Sequence, residues 1–145
     1  MTVVYLDSSV IVSIALRDVR GSQALAILGS RDAYSSELSQ VECQSGLSFQ
    51  YANAPTGLPT AEHTLNALLA RVQMIRITPA ILSQARILVR RHRVGLGLRT
   101  LDAVHLASCI EIQAQLGTGA VEYITTDQRQ HSAFTAEGFF GTLVP

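Results

Sequence analysis

Four acidic side chains stand where a catalytic carboxylate can be held in place. Each lies at the end of an apolar run or near the opening of a predicted helix: Asp7, Glu42, Asp102 and Asp127. Carboxylates within a few ångströms of one another repel and raise each other's pKa unless a counter-charge is present. Mg²⁺ or Mn²⁺ supplies that charge and accepts oxygen ligands while leaving positions for water and phosphate. The leading hypothesis is metal-assisted cleavage of a phosphodiester bond.

Three of these acids also have an ordinary structural interpretation at the start of a helix. Asp7 opens an Asp-Ser-Ser sequence, which is common in turns. Asp102 falls in the first turn of a helix, where the helix dipole favours negative charge, and Asp127 begins an Asp-x-x-Gln capping pattern. Singly each acid is ambiguous, and the functional interpretation depends on the set.

Glu42 has both a structural alternative and a competitor. Ser39 precedes it by three residues, which is the spacing of a capping box. Glu37 lies five residues earlier, about 140° around a helix, so the two glutamates cannot both face one site. We choose Glu42 because its neighbours are more apolar. His105, one helical turn after Asp102, is expected to support the site or the core rather than bind a metal.

Apolar runs alternate with helical patterns along the whole chain. The predicted strands cover residues 3–6, 33–35, 74–77, 121–125 and 139–144. Two predicted helices are identified by their caps, one at Ser8 or Ser9 and one at Ser22. The other predicted helices cover residues 36–52, 61–72, 79–92, 100–116 and 128–134, and Thr100 caps the helix over 100–116. This alternation predicts an α/β fold with a mainly parallel central sheet, in a single domain over residues 1–145.

The charge distribution suggests a phosphate-rich ligand only weakly. Formal net charge is zero, and all eleven fixed cations are arginines. Five of them lie between residues 86 and 99, in a stretch that also fits a solvated helix face with a basic last turn. No apolar run approaches the roughly 18 residues of a membrane span. Two cysteines and the absence of a basic leader indicate a reduced, cytoplasmic protein.

Four ordered segments make the chain resemble PIN-domain ribonucleases, and especially the VapC-type toxins of toxin–antitoxin pairs. The segments are YLDSSVIV at residues 5–12, SSELSQVECQSGL at residues 35–47, LDAVHLASC at residues 101–109 and ITTDQ at residues 124–128. The resemblance covers nearly the whole chain and implies a PIN-like three-layer α/β/α fold. One departure is Gln130, which stands where an aromatic residue is common in the family.

The resemblance implies a Mg²⁺-dependent endoribonuclease, with Mn²⁺ as a possible substitute. Asp7, Asp102 and Asp127 are then metal ligands, and Glu42 orients or deprotonates the attacking water. Ser8 and Thr125 are supporting hydroxyls. The candidate RNA contacts are five arginines: Arg86, Arg90, Arg93, Arg99 and Arg129.

The resemblance also implies partners: a homodimer and a VapB-like antitoxin whose C-terminal segment occupies the groove. An arginine of that antitoxin can pair with the acids and block the metal. Two alternatives stay open. One is a PIN-family nuclease of RNA maturation or repair, and the other is a catalytically silent PIN-like module that only binds protein or RNA.

Overall fold

A five-stranded, fully parallel sheet forms the centre of the computed structural model, which describes residues 2–145. Its strands are β1 (Val3–Leu6), β2 (Ala33–Ser36), β3 (Gln73–Ile75), β4 (Val121–Thr125) and β5 (Phe140–Leu143). Their order in the sheet is β3-β2-β1-β4-β5. Every neighbouring pair is parallel, so all five carboxyl ends meet at one edge. The predicted α/β/α class with a parallel sheet is confirmed.

Within residues 2–145, seven α-helices connect and cover the strands. They are α1 (Ser8–Leu16), α2 (Val19–Leu28), α3 (Leu38–Gln50), α4 (Leu58–Leu69), α5 (Pro79–Leu96), α6 (Thr100–Leu116) and α7 (Gln128–Ala136), with a 3-10 turn at Pro55–Gly57. Alternate strand residues face opposite sides. Val4 and Leu6 therefore pack with α1 to α4, whereas Tyr5 and Tyr123 pack with α5 to α7. Two apolar cores result, one on each face.

Several helices begin or end at other residues than the sequence pattern predicted. Helix α1 is capped by Asp7 rather than by Ser8 or Ser9, and α2 begins at Val19, where Asp18 rather than Ser22 is the cap. Arg99, not Thr100, is the N-cap residue of α6. An aspartate in extended conformation accepts the free N–H groups of the first turn, so it competes well with a nearby serine or threonine.

Helix α5 also runs one turn further than predicted. It passes His92 and ends at Leu96, because the next residue, Gly97, adopts a left-handed conformation (φ 69°) that glycine takes without strain. Both cysteines are buried free thiols, as expected, and burial raises the pKa of Cys43 to about 12. Among residues 2–145, no helix combines the length and apolar character needed to cross a membrane.

Gly21 permits the close approach of α1 and α2. A Cβ atom at this position would lie 2.3 Å from the carbonyl oxygen of Ser13, a backbone atom that cannot rotate away. Gly95, inside α5, has nothing within 4 Å of a Cβ atom and no positive φ. The two glycines thus differ only in whether a neighbouring backbone occupies the space.

We expect Gly21→Ala to lower the free energy of unfolding by about 1–3 kcal/mol or more, since the helices must separate. Gly95→Ala, the matched control, should raise it by about 0.5–1 kcal/mol, because alanine loses less backbone entropy in a helix. Urea unfolding of both variants measures the difference. Equal changes of the same sign would contradict the packing argument.

Candidate active site at the carboxyl edge of the sheet

The two central strands place the first candidate acid beside the last. From β1 the chain builds the sheet outward through β2 and β3, and then returns to the other side of β1 with β4 and β5. Such a reversal leaves a crevice beyond the carboxyl ends of the strands, where ligands of α/β proteins commonly bind. Leu6 is the register partner of Ile124, so Asp7 follows directly beside Thr125.

Asp7 is a buried carboxylate, with 5% of its surface exposed. One oxygen, Oδ1, accepts hydrogen bonds from Ser9 Oγ at 2.6 Å and from the Val10 N–H at 3.2 Å. The other oxygen, Oδ2, accepts a short hydrogen bond from the Thr125 hydroxyl. Burial raises the pKa of Asp7, and the bonds from Ser9 and Thr125 oppose that rise. A helix cap needs no such burial, so capping α1 does not by itself explain this carboxylate.

Hydroxyl groups join Asp7 to the following loop of β4. Thr125 Oγ1 also accepts the N–H of Asp127 at 3.0 Å, and Ser9 Oγ accepts the N–H of Thr126 at 3.2 Å. Sequence reasoning assigned the supporting hydroxyl next to Asp7 to Ser8, but the hydroxyl that touches its carboxylate belongs to Ser9. The Asp-Ser-Ser sequence contains both hydroxyls and does not by itself distinguish Ser9 from Ser8. The hydroxyl of Thr125, the other candidate supporting residue, contacts both Asp7 and the backbone of Asp127.

Arg99 connects the two other aspartates. Its guanidinium donates through Nε to Asp102 Oδ2 at 3.0 Å and through Nη2 to Asp127 Oδ2 at 3.0 Å. The backbone N–H of Arg99 also donates to Asp102 Oδ2, so Asp102 satisfies the backbone of the N-cap residue of α6 as well. The hydrogen bond and charge of Asp102, with a smaller contribution from Asp127, raise the pKa of Arg99. One cation thus balances two carboxylates.

Glu42 lies in the second turn of α3 and contacts α6. Its Oε1 atom is 2.5 Å from Nε2 of His105. The capping-box alternative does not apply, because the hydroxyl of Ser39 bonds to Ser35 at 2.7 Å. The competing Glu37 lies elsewhere and accepts the N–H of Ile77 at 2.8 Å. His105 is buried, which agrees with a residue that supports the site or the core rather than one that binds a metal.

The four acids therefore form two groups rather than one tight cluster. Asp7, Asp127 and Asp102 are linked through Thr125 and Arg99. Glu42 borders a cleft of about 540 Å³ whose walls also include Arg99 and Asp102. Within residues 2–145, no three His, Cys, Asp or Glu side chains lie close enough together to hold a metal ion. The acids are all-oxygen donors of the kind that Mg²⁺ prefers, but Arg99 stands between two of them.

All five candidate substrate-binding arginines are exposed, and two of them border this cleft. Arg86, Arg90 and Arg93 recur at helical spacing on α5 and are all exposed. Arg93 and Arg99 line the cleft together with Glu42. The last candidate, Arg129, is exposed too, and its Nε is 3.9 Å from Asp127. Of the five candidates, Arg93 and Arg99 border the cleft, and Arg86 and Arg90 lie earlier on α5.

Gln130, the departure from the family pattern, is buried where α7 meets α6. Its Nε2 atom donates to the carbonyl oxygen of Asp102 at 3.4 Å, and Asp127 Oδ1 accepts its backbone N–H at 3.4 Å. Among the described residues, its Oε1 atom is the one buried side-chain polar atom without a hydrogen-bond partner. The side chain of Gln130 therefore supports the backbone at Asp102, and its backbone N–H helps to orient the Asp127 carboxylate.

Comparison with known proteins gives one family and several solved structures. The family model described as "PIN domain" matches residues 4–133. No curated protein matches the sequence.

Three solved structures resemble the fold at low sequence identity. A chain of VapBC2 from Rickettsia felis, bound to a DNA fragment from its promoter, has a TM-score of 0.65 and 15% identity, with 98% of this chain and 99% of that chain covered. DNA-bound VapBC from Salmonella typhimurium gives 0.62 and 13%, with full coverage of both chains. A toxin–antitoxin complex from Klebsiella pneumoniae gives 0.62 and 16%, covering 89% and 90%.

Proposed function

Because the chain belongs to the PIN domain family, we propose that it is the VapC-like toxin of a toxin–antitoxin pair, a metal-dependent endoribonuclease acting in the cytoplasm. The observation that carries the proposal is the acid-lined edge of the sheet. Asp7 is buried there at the reversal of strand order, Arg99 links Asp127 to Asp102, and Asp102 lines a cleft together with Glu42. The likeness to chains of toxin–antitoxin complexes supports the toxin assignment.

The donor set suits a hard divalent cation such as Mg²⁺ or Mn²⁺. Asp7, Asp102 and Asp127 would hold it, and Arg99 would give up its bonds to the last two. When bound, the cation would supply positive charge that activates water and balances the negative charge developing on the phosphate. Ser9 and Thr125 keep Asp7 oriented by donating to both of its oxygens.

Glu42 is the proposed general base of the reaction. His105 engages its Oε1 atom, which leaves Oε2 to orient the attacking water or take its proton. Arg93 borders the same cleft and can donate to a phosphate of the RNA backbone; Arg99, once released from the acids, can do the same. Arg86, Arg90 and Arg129 would extend this cationic surface along the strand of RNA.

An open apolar groove next to the acids suits a segment of an antitoxin. It runs over α1 and α3, and exposed apolar side chains on its walls include Val41, Phe49 and Leu101. Glu42 also lines this groove, so a bound peptide would cover the proposed base. We propose a VapB-like antitoxin as the occupant, in line with the toxin–antitoxin complexes that the fold resembles. We also propose a homodimer as the working state.

A second candidate function is a catalytically silent PIN-like module. The specific observation in its favour is that the guanidinium of Arg99 forms ion pairs with both Asp102 and Asp127. In a nuclease, removal of one catalytic carboxylate reduces RNA cleavage. A silent module cleaves no RNA, so the same substitution changes nothing.

We expect Glu42→Gln to reduce the rate of RNA cleavage in Mg²⁺ or Mn²⁺ by about 10²-fold or more, since general bases contribute on that scale. Asp7→Asn should lose activity as well, and EDTA should abolish it in the wild type. Glu37→Gln is the matched control: this glutamate is five residues away and bonds the Ile77 backbone. Cleavage that is equal in Glu42→Gln and Glu37→Gln would exclude Glu42 as the base.

Removal of Arg99 should strengthen metal binding, because its guanidinium competes with a cation for Asp102 and Asp127. We expect Arg99→Gln to bind Mn²⁺ about tenfold more tightly by calorimetry, which corresponds to about 1.4 kcal/mol. Arg91→Gln removes the same charge from an ion pair with Glu137 and serves as control. Unchanged or weaker Mn²⁺ affinity in Arg99→Gln alone would show that no competition exists.

Toxicity has its own measurement. Induced expression of the wild-type chain should arrest growth of the host cells, whereas Glu42→Gln should not. Co-expression of the neighbouring small gene should restore growth if that gene encodes the antitoxin. Normal growth under wild-type expression, with cleavage intact in vitro, would favour a nuclease of RNA maturation or repair.

A further inference from the structure

We propose that Tyr5 and His105 are positioning residues for Glu42, through a buried relay that runs from the backbone of β2 to the cleft. The inference rests on the proposed function, because it assigns a task to the proposed base. It concerns residues that touch neither the substrate nor a metal. The sequence alone gave Tyr5 no role and predicted only that His105 supports the site or the core.

The relay consists of three consecutive hydrogen bonds. The backbone N–H of Ser36 donates to the hydroxyl oxygen of Tyr5 at 3.2 Å. The Tyr5 hydroxyl lies 2.7 Å from Nδ1 of His105, and His105 Nε2 lies 2.5 Å from Glu42 Oε1. Tyr5 is fully buried and His105 is 2% exposed. Each polar atom of the relay has a hydrogen-bond partner, and the relay ends at Glu42, which borders the cleft.

The groups at the two ends of the relay determine which atoms along it donate hydrogen bonds. An ionised Glu42 can only accept, so Nε2 of His105 must carry a hydrogen. At the other end a backbone N–H can only donate, and it occupies a lone pair of the Tyr5 oxygen. In the neutral imidazole Nδ1 is then an acceptor, and Tyr5 donates to it. The relay therefore holds the tautomer of His105 that presents an N–H to Glu42.

The surroundings argue for a task beyond packing. Tyr5 and His105 lie against an apolar core that includes Leu106 and Phe134. Phenylalanine and leucine would fill such a space without the cost of burying polar groups. A polar pair in this place is useful because it ends on a partly exposed carboxylate and restricts its side-chain rotamers. That restriction holds Oε2 in one position for a proton.

The fold contains a second tyrosine–histidine pair that serves as a matched control. Tyr123 is the register partner of Tyr5 and is also buried, and its hydroxyl lies 2.6 Å from Nδ1 of His131. That pair continues to Thr135 on α7, without contact to Glu42. Tyr123→Phe thus removes the same atom from the same kind of bond, on the neighbouring strand.

The kinetic test compares four variants with the wild type on one RNA substrate in Mn²⁺. We expect His105→Leu to lower kcat about tenfold with KM nearly unchanged, because the loss concerns orientation of the base and not binding. His105→Gln should recover part of kcat, since its amide can donate to Glu42. Tyr5→Phe should lower kcat less than His105→Leu does. Tyr123→Phe should leave kcat unchanged.

Two further readouts separate positioning from a loss of stability. In a Glu42→Gln background, His105→Leu should have no additional effect on kcat, whereas a merely structural role would lower it again. Independently of activity, ¹⁵N shifts of the histidine rings should show His105 with its hydrogen on Nε2, the resonance being assigned by its loss in His105→Gln. Thermal unfolding of each variant establishes that it is folded.

The outcomes are distinct. An His105 hydrogen on Nδ1 alone, or wild-type kcat in both His105→Leu and Tyr5→Phe, overturns the relay. A fall in kcat that is equally large in Tyr123→Phe overturns it as well. If the wild type cleaves no RNA in Mn²⁺, the proposed function fails and the catalytic task of the relay fails with it, while the ¹⁵N shifts still decide the hydrogen-bond arrangement.

Discussion

The parallel pairing of β1 with β4 is the constraint on which the site depends. The two strands are distant in sequence, yet their register places Leu6 opposite Ile124. The residues that follow, Asp7 and Thr125, must then meet beyond the sheet, and their side chains bond. Because the strand order reverses here, no helix crosses over this point. A shift of one residue in register would turn every side chain to the opposite face and separate the pair.

The carboxylates at this edge are stabilised by different partners, according to how deeply each is buried. The buried Asp7 carboxylate has three donors, from Ser9, Val10 and Thr125, which offset part of its desolvation. The more exposed Asp102 and Asp127 share the guanidinium of Arg99, whose bonds are accessible to solvent and therefore weak. The inner acid is thus held by buried hydrogen bonds, while the outer two are held by ion pairs that are accessible to solvent.

The order of helices and strands was predictable because their periodicities are local. The alternation of apolar strands with amphipathic helices gives the parallel α/β class, and the strand ends at Leu6 and Thr125 agree with the observed ones. Helix starts were less predictable. Ser8, Ser22 and Thr100 are good caps in isolation, but at each place the residue that caps the helix lies earlier in the chain. The choice depends on where the preceding chain turns, which is not a local property.

The sequence by itself determined the residue types at the site: carboxylates that follow strands or open helices, at spacings that resemble one family. Only the tertiary structure decided their contacts. It assigned the supporting hydroxyl to Ser9, put Arg99 between two acids, and linked Glu42 through His105 to Tyr5, a residue that reads as one more apolar strand position. The physical reason is that periodicity and capping act over a few residues. The contacts of Glu42 with His105 and of His105 with Tyr5 join residues 63 and 100 positions apart, and only the packing of the two helix layers on one sheet brings them together.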